Sequence, residues 1–229
     1  LVELNRDLEA KVRLKTIDLN RRAEELKASY DKIQMILDGT VLAMAKIVES
    51  RDPYTAGHQQ QVTEIAGIIA EKMTLPPDRI EAIRISAALH DIGKIAVPSE
   101  ILTKPSQLSN LERELVKTHS QSAYDILKNI EFPYPIAEII LQHHERMDGS
   151  GYPQGLKGDD ILLEARILAV ADVIEAMSAH RPYRPALGIE VAMEEITGQS
   201  GILYDEDVVD ACRKIYQENG QKSFLPPRS

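Results

Sequence analysis

The chain has 229 residues, 43% hydrophobic and 28% charged, enough for one sizeable core and an appendage. Its formal net charge of −9 argues against general binding of nucleic-acid polymers, which usually takes a basic surface. The single cysteine, Cys212, excludes an intramolecular disulfide and any cysteine-based metal cluster, which suits a reducing cytoplasm.

No apolar run approaches the roughly 18 residues of a membrane span, and no basic-then-apolar leader opens the chain, so no membrane contact is expected from this stretch. Because the first residue is Leu1 rather than Met, the chain is expected to be a piece of a longer protein with a sensory or receiver domain upstream.

Residues 1–37 predict a continuous helix of coiled-coil type. From Val12, apolar or small residues fall at Leu19, Ala23, Leu26, Tyr30, Ile33 and Leu37, in alternating steps of four and three, with Arg22, Glu25 and Lys27 between them. Leu4, Leu8 and Val12 fit the register less well, since Lys15 and Thr16 interrupt it. The pattern suits a homodimer seam or a signalling helix continuing from upstream. The alternative is an amphipathic helix folded back on its own domain.

Helical spacing then continues. It runs through "TVLAMAKIVES" and "QVTEIAGIIAEKM", and through "PPDRIEAIRISAALHDIGK", which opens on a Pro76, Pro77, Asp78 start signal. Further helices are expected over 109–128, capped by Ser109 or Asn110, and over 133–144, 161–179, 188–197 and 205–219. Loops take most of the proline and glycine, and no alternating strand pattern competes. The fold class is therefore all-α: a compact bundle of about seven helices over residues 38–219, with the coiled-coil-like helix before it and a disordered tail over 220–229.

The chemistry lies in the histidines and two acids. "AALHDIGK" sets His90 and Asp91 at the end of an apolar helix, and "ARILAVADVIEAM" surrounds Asp172 with apolar residues. A carboxylate there is expensive unless a cation compensates, and a lone histidine is more often structural than a ligand, but the combination points to metal. Helical neighbours project about 100° apart, so His90 and Asp91 serve one site most easily if the carboxylate bridges two ions. The same difficulty at His143 and His144 is relieved if the helix ends there and the glycines of "DGSG" turn the backbone away. Imidazole and carboxylate without thiolate suit Fe, Mn, Zn, Ni or Co, and two such ions about 3.5–4 Å apart form a clamp for displacement at phosphorus.

"HDIGK" at 90–94 followed by "HHERMDGSGYP" at 143–153 resembles the HD-GYP family, a bacterial group of HD phosphohydrolases that hydrolyse cyclic dinucleotides, chiefly cyclic di-GMP. The likeness spans about residues 40–215 and includes "RDPYTAGH", His119, "ADVIEAM" and "RPYR" in order. It implies that His58, His90, Asp91 and Asp172 hold one ion and that Asp91 bridges to a second held by His119, His143 and His144. It further implies that Lys94 contacts the scissile phosphate, that Arg181 and Arg184 grip phosphate or guanine, and that the Gly151, Tyr152, Pro153 turn forms a lip. For the arginines a salt-bridged loop is the alternative, for the turn a merely rigid one, and His180 matches no ligand position.

The implied activity is a cytoplasmic phosphodiesterase that opens cyclic di-GMP to pGpG, and onward to GMP, with a hydroxide bridging two Fe or Mn ions as nucleophile. Members with a third metal carry a glutamate four residues before the first ligand histidine. Here that place is Tyr54, so two ions are expected. The alternatives are another cyclic dinucleotide such as cyclic GMP-AMP, a mononucleotide phosphate, or a catalytically silent receptor.

Overall fold

The computed structural model describes residues 2–51, 57–179, 186–220 and 224. Tyr54, His180, Arg181, Arg184 and most of the 220–229 tail therefore lie outside the described residues. The chain forms two compact units, Leu1–Leu42 and Ala43–Ser229. Among the described residues the secondary structure is helical, relieved by one isolated bridge between Ser200 and Tyr204, and no helix is long and apolar enough to cross a membrane.

Helix α1 runs unbroken over Val2–Glu49, joining the two helices that the sequence suggests at its N-terminus. In the first unit it is a bare helix whose Leu19, Leu26, Tyr30 and Ile33 are all exposed. In the second unit its last turns bury Ala45 and Val48.

The second unit is built around α8 (Leu163–Ser178), a strongly apolar helix. It buries nine residues, including Ile167, Leu168, Val170 and Ile174. Packed on it are α2 (His58–Lys72), α3 (Pro77–Leu89), α7 (Ile136–Gln142), α9 (Ile189–Gly198) and α10 (Glu206–Asn219). Ile65, Ile69 and Ile83 fill the space between α2, α3 and α8 at zero exposure, each contributing about 1.5–3 kcal/mol relative to exposure. Polar ties fix the angles: Arg79 of α3 meets Glu164 at 2.7 Å, and Arg166 of α8 meets Asp205, the N-cap of α10, at 2.9 Å. Phe224 is buried in the same core, so the tail read as disordered is seated at this position.

Three local departures from the predicted elements matter for the site. The "SAALHDIGK" helix stops at Leu89 and tightens into a 3-10 turn, Ile92–Ala96. A short helix, α4 (Ser99–Leu102), follows in what reads as loop. The single helix expected over 109–128 breaks at Thr118 into α5 (Asn110–Lys117) and α6 (His119–Leu127). The Thr118 N–H and hydroxyl both donate to the Leu115 carbonyl, at 3.2 and 2.7 Å, which closes the turn early. Ser109 is the cap of α5, in a capping box with Glu112.

Candidate metal centre

His90, His119 and His143 share one local device. Each sits where a helix ends or breaks, beside carbonyls that have lost their intrahelical partners. In each, Nδ1 meets the carbonyl three residues back: Ala87 at 2.7 Å, Val116 at 2.7 Å and Ile140 at 2.5 Å. A carbonyl can only accept, so Nδ1 carries the proton and Nε2 keeps a free lone pair. His58 opens α2 after Gly57, and its Nδ1 faces the buried carboxylate of Glu175 at 2.5 Å. Its Nε2 is thereby aimed inward as well.

These lone pairs converge. His58 Nε2 lies 3.3 Å from His90 Nε2, and His119 Nε2 lies 3.4 Å from His143 Nε2. His58 Nε2 is also 3.4 Å from Asp172 Oδ1. Two groups result, His58 with His90 and Asp172, and His119 with His143 and His144, each with its ligand atoms within 4.8 Å of one another. Asp91 stands between them: Oδ2 is 3.6 Å from His90 and 3.8 Å from His58, while Oδ1 is 3.7 Å from His119. Lys94, one turn on, places Nζ 2.8 Å from Asp91 Oδ2.

The electrostatics match a cation site. Burial, reinforced by His90 and His119, pushes His143 down to about 3, and burial likewise depresses His119 and His144. Near neutral pH these rings are uncharged donors. Burial would raise Asp91 and Asp172, but Lys94, His90, His119 and His58 hold Asp91 well below the usual carboxylate range, and His58 and His90 lower Asp172. Burial would lower His58, but the Glu175 hydrogen bond and the Asp172, Glu175 and Asp91 charges raise it. The buried lone pairs of His119 and His143, 3.4 Å apart, satisfy no hydrogen bond in their neutral form, and Asp91 Oδ2 is a buried oxygen without a well-directed donor. A divalent ion in each group would satisfy both, so the residues fit the metals that the sequence suggests.

The structure brings together His58, His90, Asp91, Lys94, His119, His143, His144 and Asp172, with Gly151, Tyr152 and Pro153 alongside. Helix α7 ends at Gln142, which frees His143 and His144 from helical projection. Tyr152 lies tilted over His144, ring centroids 4.7 Å apart, and its N–H donates to the His144 carbonyl at 3.3 Å. A Cβ on Gly151 would fall within 2.6 Å of the backbone of His144, Glu145 and Arg146, so this turn admits only glycine.

Three further residues escape the sequence reading. Glu175 orients His58. Glu145 is buried and accepts from the N–H groups of Gln154, Gly155 and Leu156 at 2.7–3.1 Å, tying the loop after Pro153 to the end of α7. Gly93 lets the 3-10 turn close on α6, since a Cβ there would meet the His119 carbonyl at 1.9 Å. All three lie inside the quoted motifs, Gly93 in "HDIGK", Glu145 in "HHERMDGSGYP" and Glu175 in "ADVIEAM", so motif membership is the signal that marks them.

Comparison with known proteins gives the chain its family. The HD domain family profile matches residues 43–208. RpfG of Xanthomonas campestris, named a cyclic di-GMP phosphodiesterase response regulator, is 38% identical over 92% of this chain and 55% of its own length. A 3′3′-cGAMP-specific phosphodiesterase of Vibrio cholerae is 38% identical over 88% of this chain and 44% of its own. The chain thus spans about half the length of the curated relatives it matches. The crystal structure of a cyclic GMP-AMP specific phosphodiesterase of V. cholerae covers 79% of the chain, and 48% of its own, with a TM-score of 0.61 at 19% identity, a likeness of fold. The chain belongs to the HD domain family, and its paired motifs are those of the HD-GYP group.

Proposed function

We propose that the site holds two divalent transition metals and that the chain is a phosphodiesterase acting on cyclic di-GMP. The observation that carries this reading is the carboxylate of Asp91, which turns one oxygen toward each of two buried ligand groups. His58, His90 and Asp172 would hold one ion and His119, His143 and His144 the other. Iron or manganese suits the set best, with zinc, nickel or cobalt as alternatives. Tyr54, on which the expectation of two rather than three ions rests, lies outside the described residues. When bound, the ions supply Lewis acidity and an activated water.

The chain's own residues do the rest. Asp91 balances the ions' charge, and the carbonyl-held histidines keep their lone pairs aimed without reorganisation. Lys94 presents a fixed ammonium to the non-bridging oxygens of the phosphodiester, where charge grows as bonds to phosphorus change. Water's oxygen goes to phosphorus, the bond to the ribose 3′-oxygen breaks, and a proton ends on that oxygen, giving pGpG. A second cycle on pGpG gives GMP. Tyr152 lies where a base could rest, and Arg181 and Arg184 are proposed to bind phosphate or guanine.

The Vibrio relative's name supports a second reading on the same machinery, hydrolysis of 3′3′-cyclic GMP-AMP. Homodimerisation through α1 and an upstream sensory or receiver domain belong to the proposal too, as does a place in the bacterial cytoplasm.

The test is a chromatographic time course of cyclic di-GMP with anaerobically purified protein, reconstituted with Fe(II) or Mn(II), beside Asp91→Ala. Product from the wild type alone supports the reading. No product despite two bound ions, with cyclic GMP-AMP cleaved in parallel, moves the substrate to that nucleotide. Binding without cleavage of either makes the domain a receptor.

A further inference from the structure

The end of α1 touches the site's two flanks. The helical hydrogen bonding continues past Glu49, with Ser50 N–H to the Lys46 carbonyl and Arg51 N–H to the Val48 carbonyl, both at 3.0 Å, so Arg51 extends the helix. Burial of Ala45 and Val48 seats this last turn in the domain. From there the Arg51 guanidinium reaches across 44 residues of sequence to donate to the Ile95 carbonyl at 2.7 Å, and its other arm donates to Ser99 Oγ at 3.2 Å. Ile95 follows Lys94 in the 3-10 turn. On the other side, Glu49 Oε1 accepts the Gly57 N–H at 3.0 Å, immediately before His58.

The 3-10 turn needs such a support. Its front is pinned by Gly93 against α6, but Ile95 and Ala96 are exposed and contribute no core packing, and the next buried side chain is Val97. Between those anchors stands Lys94, whose backbone N–H bonds the Asp91 carbonyl and whose own carbonyl takes the Val97 N–H, at 2.9 and 3.0 Å. The guanidinium of Arg51 is the tie, from outside the turn, on the residue next to the lysine.

We infer that Arg51 is a positioning residue for Lys94, and that with Glu49 it forms a coupling clamp through which the state of α1 is read at the site. This rests on the phosphodiesterase reading for its kinetic consequence but not for its structural one. The hydrogen bond from Arg51 to the Ile95 carbonyl fixes the turn. Rotation or withdrawal of the α1 end loosens it and leaves the ligand histidines, held by their own carbonyls and by Glu175, in place. The clamp therefore governs turnover rather than metal loading.

The experiment uses the full chain, with Arg51→Ala and Arg51→Lys. In the metal-free protein, hydrogen exchange at residues 93–97 should rise at least tenfold in Arg51→Ala, with exchange in α6 and α8 unchanged, and Arg51→Lys should recover most of the protection. In the metal-loaded protein, kcat should fall roughly 10-fold or more in Arg51→Ala, within the about 10²-fold that a misplacement of 1 Å can cost. KM and bound metal should change less than about twofold, a pattern that marks a loss confined to the transition state. Insertion of one alanine after Leu42, which turns the upstream helix by about 100°, should alter kcat in the wild type and not in Arg51→Ala. Unchanged exchange at 93–97 overturns the inference whether or not the protein cleaves a cyclic dinucleotide. A kcat loss matched by metal loss, or an insertion effect equal in both backgrounds, overturns the coupling. An inactive wild type with the exchange change intact would strike the phosphodiesterase reading and leave the tie standing.

Discussion

At the scale of single residues, the site depends on who holds each imidazole's outer nitrogen. For three histidines that partner is a backbone carbonyl left over at a helix end, which no side-chain substitution removes. For His58 it is Glu175, so Glu175→Ala should weaken metal binding by about 10–100-fold, measured by competition with a chelator, and the loss should fall on one ion of the two. Loss of both ions together would show that the groups are not independent. Gly93→Ala sets a methyl group against the His119 carbonyl, and the overpacking should lower stability by about 1–3 kcal/mol in a denaturant titration. Equal stability would mean that the turn and α6 part easily. Cys212, buried with its thiol pushed up to about 12 by burial, should resist iodoacetamide at pH 8 until the protein is unfolded. The histidines and acids of the centre are legible in sequence because a carboxylate in an apolar helix demands a partner. Glu175 sits in the same apolar stretch as Asp172, but its partner is not legible, because His58 lies 117 residues away in sequence.

At the scale of elements, helix ends rather than helix bodies make the site. Hydrophobic spacing identifies α2, α3, α8, α9 and α10 well, since their buried faces follow the periods from which the core is built. It misses the break at Thr118, because a threonine between two amphipathic stretches leaves the apolar period nearly intact while its hydroxyl ends the turn. That break is what delivers His119. The capping box before it carries a pH signature. Lys104 and the Ser109 N–H hold Glu112 at about 2, below its ordinary 4.5. A folded value below the unfolded one contributes stability above about 4.5, and this is lost as pH falls from 4.5 toward 2. The backbone amide shifts of Ser109 and Glu112 should therefore titrate with a midpoint near 2 by NMR, and Glu112→Gln should abolish the transition. A midpoint near 4.5 would show that the box is open in solution.

At the scale of the whole molecule, the unresolved tension is α1. Its first unit carries Leu19, Leu26, Tyr30 and Ile33 at 62–73% exposure, and a bare helix in water has little to hold it beyond local propensity. With Ala23 and Leu37 those residues keep alternating steps of four and three, the spacing that brings one helix stripe against a copy of itself. The ion pairs of this segment do not compete with that seam, because Asp18 meets Arg21 and Arg22 within the same helix. A homodimer is thus the assembly that the pattern supports, and it can be broken without touching the HD domain. Leu26→Glu with Ile33→Glu places four carboxylates in the seam of a dimer where apolar side chains would each contribute about 1.5–3 kcal/mol. Sedimentation equilibrium should show a wild-type dimer and a doubly substituted monomer, the dissociation constant rising by more than about 10³-fold. The same mass for both would remove the seam as the interface. A monomer with unaltered metal content but raised exchange at 93–97 would show that pairing acts through the end of α1 and not through the stability of the centre itself.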